Sequence, residues 1–260
     1  MSDFQPPILD DLDACVDLAI ERVGRSLVLG APLGLGKPVQ LLNAFYARAK
    51  ADPTLQLQIY TALSLEVPEP AEGVERSLAG PIVERLFGDY EGLAYMRDLR
   101  AGTMPGNIRV SELYVKAGSM KGLHAAQQAY ISSNYTHISR DMVAAGVNVV
   151  CQLLAFRERD GVLEISLSSN PDTSSDMLTE LERSCPGRYV ALGQLHPDMP
   201  FMENDAQIAP GRYTAFARNP AWDRRLFAVP NAAVPPTDYA TALHASSLVP
   251  DGGTLQIGIG

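Results

Sequence analysis

The sequence predicts an α/β protein with an open, mostly parallel sheet flanked by helices. Apolar strand-like runs alternate along the chain with amphipathic helical segments, a pattern typical of β-α-β units. A glycine-rich loop at 30–38 joins one such strand to a helix, which is how α/β proteins bring backbone close to a ligand. The same order of helix, turn, strand and glycine loop begins again near the end of the chain, which predicts two similar α/β halves.

The first elements along the chain form a β-loop-α-β unit. Apolar residues at helical spacing predict a helix over 12–23 that ends at Gly24. The apolar run 26–29 predicts a strand, 39–50 an amphipathic helix, and the alternating segment 55–60 a second strand. A strand, a helix and a strand in succession are expected to place the two strands side by side and parallel.

The middle of the chain is less regular in its pattern. Residues 66–75 are acidic and rich in proline, and we interpret them as a loop with solvated carboxylates rather than a metal or acid/base site. Beyond this loop we predict helices at 81–87 and 90–100, a strand at 108–115 and a helix within 118–130. The polar and aromatic segment 131–137 has no clear period and is interpreted as a functional loop.

A buried hairpin is predicted next. The strongly apolar run 147–156 predicts a strand covered on both faces, and Asp160-Gly161 is favourable turn chemistry before a returning strand at 162–167. The remaining predicted elements are a helix at 176–185, a strand at 189–195, a loop at 197–210, a short strand at 226–229 and a helix at 238–247. We therefore place a first domain at 1–236 and the opening of a second, similar domain at 237–260.

Three named motifs compete for the glycine loop. Its sequence nearly matches a P-loop that ends in Gly36-Lys37. However, Pro38 occupies the position where a P-loop has a Ser or Thr whose hydroxyl binds Mg²⁺. A dinucleotide fingerprint needs a third glycine after Gly34 and Gly36, and Val39 holds that position. The third motif, Gly-x-Gly-x-Pro before a helix, fits, because proline is tolerated in the first helical turn. For such a loop taken alone, a purely structural turn is the alternative.

Composition and charge exclude several classes of protein. The chain is 46% hydrophobic and 20% charged, as in ordinary globular proteins, and its net charge of −9 argues against a surface for nucleic acid or anionic membrane. No apolar run is long enough to span a bilayer, and the N-terminus lacks the basic and apolar regions of a secretory signal. The three cysteines are widely spaced and form no disulfide framework, which favours the reducing cytoplasm.

No complete catalytic signature is visible. The chain lacks Gly-x-Ser-x-Gly, and neither its histidines nor its cysteines have the spacing of metal ligands, so we expect no metal site. Cys15 and Cys151 lie in apolar patterns and are interpreted as core residues rather than nucleophiles. The segments 139–141 and 196–198 contain residue types of a hydrolytic triad, but a triad depends on spatial arrangement and not on adjacency.

Four segments of the chain share the pattern of a known family. They are 29–45 with its glycine-proline loop, the hairpin 147–169, 194–200 with its Met-Pro pair, and 250–260, which is the most specific. Together they resemble the acetyl-CoA hydrolase/transferase branch of the CoA-transferase superfamily, which includes 4-hydroxybutyrate CoA-transferase. The resemblance covers most of the chain in order, although Gln194-Leu195-His196 departs from the asparagine-containing pattern that is commoner in that family.

This resemblance implies two α/β halves with the active site between them, and coenzyme A or acyl-CoA as a substrate rather than a permanently bound cofactor. In the family a glutamate of the second half attacks the acyl-CoA, and a glutamyl-CoA thioester forms before CoA passes to a carboxylate or water replaces it. In relatives that glutamate lies beyond the position that matches Gly260, so we assign no catalytic residue in this chain. The residues matched to the two glycine loops, and hence assigned to CoA binding, are Gly34, Gly36, Lys37, Pro38, Gly258 and Gly260.

Two functions from different classes are compatible with these features. As the N-terminal half of an acyl-CoA hydrolase or CoA-transferase, the chain would act on an acyl-CoA and a small carboxylate and would be inactive by itself. As a non-catalytic CoA- or acyl-CoA-binding module, it would bind CoA without turnover. In both cases we expect no nucleic acid or membrane as a partner, and apolar surface left by an incomplete second half would favour a homo-oligomer.

Overall fold

The structure is a computed structural model that describes residues 5–171, 173–226 and 233–256. The chain divides into two compact units, Met1–Phe227 and Ala228–Gly260. The second of the two predicted glycine loops, with Gly258 and Gly260, lies outside the described residues, as does most of the strand predicted at 226–229.

The first unit contains nine strands of one sheet and seven helices in its described part. The strands are β1 (Ile8–Leu9), β2 (Ser26–Gly30), β3 (Gln56–Thr61), β4 (Ile108–Glu112), β5 (Val149–Arg159), β6 (Val162–Ser166), β7 (Val190–Leu195), β8 (Gln207–Ile208) and β9 (Ala215–Ala217). The helices are α1 (Leu12–Val23), α2 (Val39–Ala51), α3 (Val74–Phe87), α4 (Ala94–Ala101), α5 (His124–Gln128), α6 (Ile138–Ala144) and α7 (Ser174–Ser184). In the second unit the described helix is α8 (Pro236–Ser246). None of the described helices has the length and apolar character needed to cross a membrane.

The sheet has the strand order β1-β9-β7-β5-β2-β3-β4, and every pair along this path is parallel. Strand β6 pairs antiparallel with β5 and with β8. The predicted open and mostly parallel α/β sheet is thereby confirmed, including the parallel pairing of β2 with β3. The chain moves outward from β2 through β3 to β4, then returns to β5 on the other side of β2, so the strand order reverses at β2.

Helices cover both faces of the sheet. Helices α1, α2 and α4 pack on one face, and α6 and α7 pack on the other. Residues 149–155 of β5 are buried on both faces, which explains why this segment is apolar except for Gln152. Cys15 and Cys151 are fully buried in the core that lies against α1, α2 and α4, which confirms them as core residues. Burial raises the pKa of Cys15 to about 12 and also raises that of Cys151.

Several elements differ from the sequence-based expectation. Helix α3 begins at Val74, seven residues earlier than predicted, and keeps Pro81 inside it. Helix α6 was not predicted, because it is only two turns long and follows a segment without period. Strands β1 and β9 were also not predicted, since they have two and three residues and are defined only by their pairing with each other and with β7.

The predicted hairpin between β5 and β6 is confirmed, with Arg159 paired to Val162 across a two-residue loop. Asp160 has φ +53° and Gly161 has φ +75°, as a type I′ turn requires.

Because Gly161 has open space around it, replacing it with valine should cost only backbone strain. We expect Gly161→Val to lower the free energy of unfolding by about 1–2 kcal/mol in urea denaturation, while Asp160→Asn should have little effect. An unchanged stability of Gly161→Val would contradict a type I′ turn.

Candidate functional site

The glycine loop leaves β2 at the carboxyl edge of the sheet, where the strand order reverses. Open α/β sheets bind ligands in the crevice at this position. Gly34–Gly36 form a single 3₁₀ turn, and Gly34 has φ +48°, a conformation that favours glycine. Pro38 is the N-cap of α2, and its carbonyl accepts a hydrogen bond from the amide of Leu42 (2.9 Å). The proline therefore lies just before the first helical residue and its missing N–H costs the helix nothing.

Gly36 is held in close contact with the segment that follows β6. Its amide donates to Oδ1 of Asn170 (3.2 Å) and also to the carbonyl of Leu33 (3.1 Å). A Cβ atom at this position would lie 2.7 Å from Cβ of Asn170 and 3.0 Å from Cγ of Pro32. The glycine is therefore required by packing within the protein, and its N–H already has partners in the loop and beside it.

Lys37 is buried, with 3% of its surface exposed. Its ammonium donates to the carbonyl of Pro32 (2.8 Å) and to the carbonyl of Ala62. Burial lowers the pKa of Lys37 to about 7, and the charge of Glu112 opposes this shift. The side chain therefore ties the loop to the end of β3, unlike a P-loop lysine, which must reach out to a phosphate.

Buried amide side chains fix the base of the loop. Gln194 accepts from the amide of Leu41 (3.3 Å) and donates to Oε1 of Gln40 (2.9 Å), which connects β7 to the first turn of α2. Gln152 on β5 is fully buried and accepts from the hydroxyl of Ser174. These bonds join β7 to α2 and β5 to α7 beside the loop, which restricts the elements on which the loop rests before any ligand arrives.

A narrow cavity of about 30 Å³ lies against the loop. Its wall includes Gly34 and Lys37 together with His196, Arg224 and Arg225. Space of this size holds a water molecule or a carbonyl group, so most of a larger ligand would have to lie outside it. Nδ1 of His196 accepts from the amide of Asp198 (3.2 Å), which places the proton on Nε2, and Nε2 donates to the carbonyl of Arg224 (2.9 Å).

The two arginines give this cavity its positive charge. Arg224 donates to the carbonyl of Ala221 (2.9 Å) and Arg225 to the carbonyl of Arg85 (3.0 Å). Within the described ranges, neither forms an ion pair with a carboxylate. A larger groove of about 720 Å³ adjoins Gln40 and Arg224 but is lined by acidic side chains, namely Asp10, Asp11, Asp13 and Glu91. An anion would therefore be attracted to the arginines and not to the groove as a whole.

Of the residues assigned to CoA binding, the structure brings Gly34, Gly36, Lys37 and Pro38 together. The sequence analysis did not assign the arginine pair to this site, and it named His196 only as part of the triad-like and family-like segments. The local signal for the pair was two adjacent arginines in a chain of net charge −9. The triad-like segments do not form a triad, because Ser139 donates to the carbonyl of Thr173 (3.0 Å) and Nε2 of His196 donates to the carbonyl of Arg224. No group of three or more His, Cys, Asp and Glu side chains could hold a metal ion in the part of the chain that the structure describes.

Comparison with known proteins shows similarity to solved structures. No protein-family model and no curated protein sequence matches the chain. RipA from Yersinia pestis has a TM-score of 0.58 and 18% identity, over 96% of this chain and 52% of RipA. A mutant form of RipA has a TM-score of 0.59 and 18% identity, over 96% of this chain and 53% of that chain. The chain thus shares the α/β fold of RipA and spans about half of its length.

A 4-hydroxybutyrate CoA-transferase from Porphyromonas gingivalis also matches, with a TM-score of 0.48 and 14% identity. This match covers 98% of the present chain and 48% of the transferase.

Proposed function

We propose that this chain is the N-terminal part of an acyl-CoA hydrolase or CoA-transferase, with acetyl-CoA as the first substrate to test. The observation that carries the proposal is the position of the glycine loop. It lies where the strand order reverses, beside two arginines that have no carboxylate partner among the residues that the structure describes. The fold shared with RipA over half the length of that protein agrees with a chain that holds one of two similar halves.

In the proposed reaction a glutamate beyond residue 260 attacks the thioester carbonyl. The C–S bond breaks, CoA leaves as a thiolate, and an acyl-glutamyl anhydride remains. The thiolate then attacks the glutamyl carbonyl, which gives a glutamyl-CoA thioester and releases the acyl group as a carboxylate. An acceptor carboxylate repeats these steps in reverse, or water hydrolyses the thioester.

The residues of this chain would bind and orient CoA rather than react with it. The glycine loop lets a thin pantetheine arm pass close to the backbone. Arg224 and Arg225 supply charge for CoA phosphates, and the hydrogen bonds of Lys37 and Asn170 hold the loop in position. These roles do not require the buried side chain of Lys37 to carry a charge.

Binding of CoA tests this proposal most directly. We expect CoA to bind the 260-residue chain saturably in isothermal titration calorimetry. The double variant Arg224→Gln/Arg225→Gln should bind roughly tenfold more weakly or worse, because hydrogen bonds to charged groups contribute about 1.5–3 kcal/mol. Arg188→Gln is the matched control, since this exposed arginine lies just before β7 at the opposite edge of the sheet. Equal affinity of the double variant and the control would contradict the proposed phosphate contacts.

Turnover separates the enzyme from a binding module that only holds CoA. We expect no release of thiol from acetyl-CoA by the chain ending at Gly260, and release would contradict a glutamate beyond this residue. The mass of the intact protein from its source cells then decides between the two functions. A mass well above 28.0 kDa supports the enzyme, whereas a mass equal to it supports the binding module.

A further inference from the structure

A second cavity lies at the carboxyl end of β4, on the edge of the sheet. Its volume is about 210 Å³. Apolar side chains of α4, β4 and the following segment form most of its wall, namely Leu99, Val110, Val115, Met120 and Ala126. The exposed residues Gln127 and Tyr130 complete the wall, so the cavity opens to solvent beside them. It shares no lining residue with the cavity at the glycine loop.

Glu112 brings a carboxylate into this apolar wall. The residue is 6% exposed, and neither of its carboxylate oxygens accepts a hydrogen bond from the residues that the structure describes. Burial raises the pKa of Glu112, and this effect exceeds the opposing effects of the Ser64 hydroxyl and backbone amide, which lie close to the carboxylate, and of the charge of Lys37. A buried carboxylate without a partner is costly, so this one is a site where a ligand that donates hydrogen bonds would gain binding energy.

The charged groups around Glu112 are bound to other partners. The ammonium of Lys37 donates to two backbone carbonyls. Arg100 forms a two-pronged ion pair with Glu66 at 2.9 and 2.6 Å. The hydroxyls of Ser64 and Tyr95 are hydrogen-bonded to each other at 2.7 Å. Ser64 lies close to the carboxylate of Glu112 but forms no hydrogen bond of normal geometry with it, so a donor that enters through the cavity would find both oxygens unpaired.

We propose that this cavity binds a small primary amine with an apolar body, whose ammonium group hydrogen-bonds to the carboxylate of Glu112. An ammonium has three donors, and it can serve both carboxylate oxygens once the buried carboxylate turns toward the cavity. An amine is a stronger base than a carboxylate, so the bound pair is ammonium and carboxylate whichever of the two held the proton before binding. The apolar wall excludes water from this pair and strengthens it.

The size of the cavity limits the ligand. An apolar cavity of about 150 Å³ holds one benzene ring, so the cavity beside Glu112 has room for a ring and a short aminoalkyl arm. Benzylamine is therefore a suitable probe. Benzyl alcohol and toluene have nearly the same shape without the charge, and they report what the apolar wall contributes alone.

The test compares these three probes on the full 260-residue chain by titration calorimetry or NMR shift mapping. We expect benzylamine to bind roughly tenfold or more tightly than benzyl alcohol, as expected for a charge-assisted hydrogen bond. Glu112→Gln should remove this preference and leave the affinity for benzyl alcohol unchanged. Ala126→Phe should fill the cavity and abolish binding of both.

Glu66→Gln is the matched control, because it removes a nearby carboxylate that already pairs with Arg100, and it should keep the preference for the amine. The proposal is overturned if wild-type protein binds benzylamine no better than benzyl alcohol, or does not bind it at millimolar concentration. It is also overturned if Glu112→Gln keeps the preference. The comparison of probes on the wild-type chain needs no variant to fold, and because it uses no CoA its failure is distinguishable from a failure of CoA binding.

Discussion

Replacing Gly36 with valine is expected to lower the free energy of unfolding by about 3 kcal/mol, because the new side chain has no space. Its Cβ would lie 2.7 Å from Cβ of Asn170 and 3.0 Å from the ring of Pro32. Neither neighbouring atom can rotate away, because each is fixed in position by the backbone beside it. Either the loop or the segment after β6 must move, and the bond from the Gly36 amide to Asn170 (3.2 Å) is then lost. Urea denaturation measures the change in stability. If the loop holds CoA as proposed, titration calorimetry should show that CoA binding is lost at the same time.

Gly106→Val is the matched control for this experiment. Gly106 is an exposed glycine with no atom within 4 Å of the position that a Cβ would occupy, and its φ lies outside the left-handed region. The same substitution there should change stability by about 0.5 kcal/mol or less. If both variants lose the same stability, the close contact between Gly36 and Asn170 is not what makes glycine necessary.

Replacing Lys37 with methionine should remove a strong dependence of stability on pH. The pKa of this lysine is about 7 in the folded protein against its usual 10.5, so the unfolded chain binds more protons between these two values. Stability of the wild-type protein therefore rises as pH increases from about 7 towards 10.5, by up to about 5 kcal/mol in total. The Lys37→Met variant lacks this contribution. Its stability relative to wild type should thus fall steadily as pH increases.

Urea denaturation of both proteins at several pH values between 6 and 9 measures this difference. The expected slope of the difference is on the order of 1 kcal/mol per pH unit within the window. Lys116→Met removes an exposed lysine and should show no such slope. A flat difference between wild type and Lys37→Met would mean that the ammonium of Lys37 keeps its charge when buried, through its bonds to the carbonyls of Pro32 and Ala62.

Much of the fold can be predicted from local sequence pattern. The helix over 12–23, the strand and helix on either side of the glycine loop, and the hairpin at Asp160-Gly161 are all confirmed. In each, the spacing of apolar residues or the chemistry of the turn acts over a few neighbouring residues, and such signals are visible in sequence. The two-residue strand β1 has no such signal, because it exists only through its pairing with β9 more than 200 residues later.

The candidate site also combines features set by local sequence with features set by contacts between distant segments. The sequence by itself determined the fold class and the glycine loop between a strand and a helix, since both depend on residues adjacent in the chain. Only the tertiary structure decided that Gly36 packs against Asn170, 134 residues away, and that Arg224 and Arg225 reach the same cavity. It also decided that Lys37 and Glu112 are buried with shifted pKa values. Burial and charge environment arise from contacts between distant segments, and no local pattern in the sequence records them.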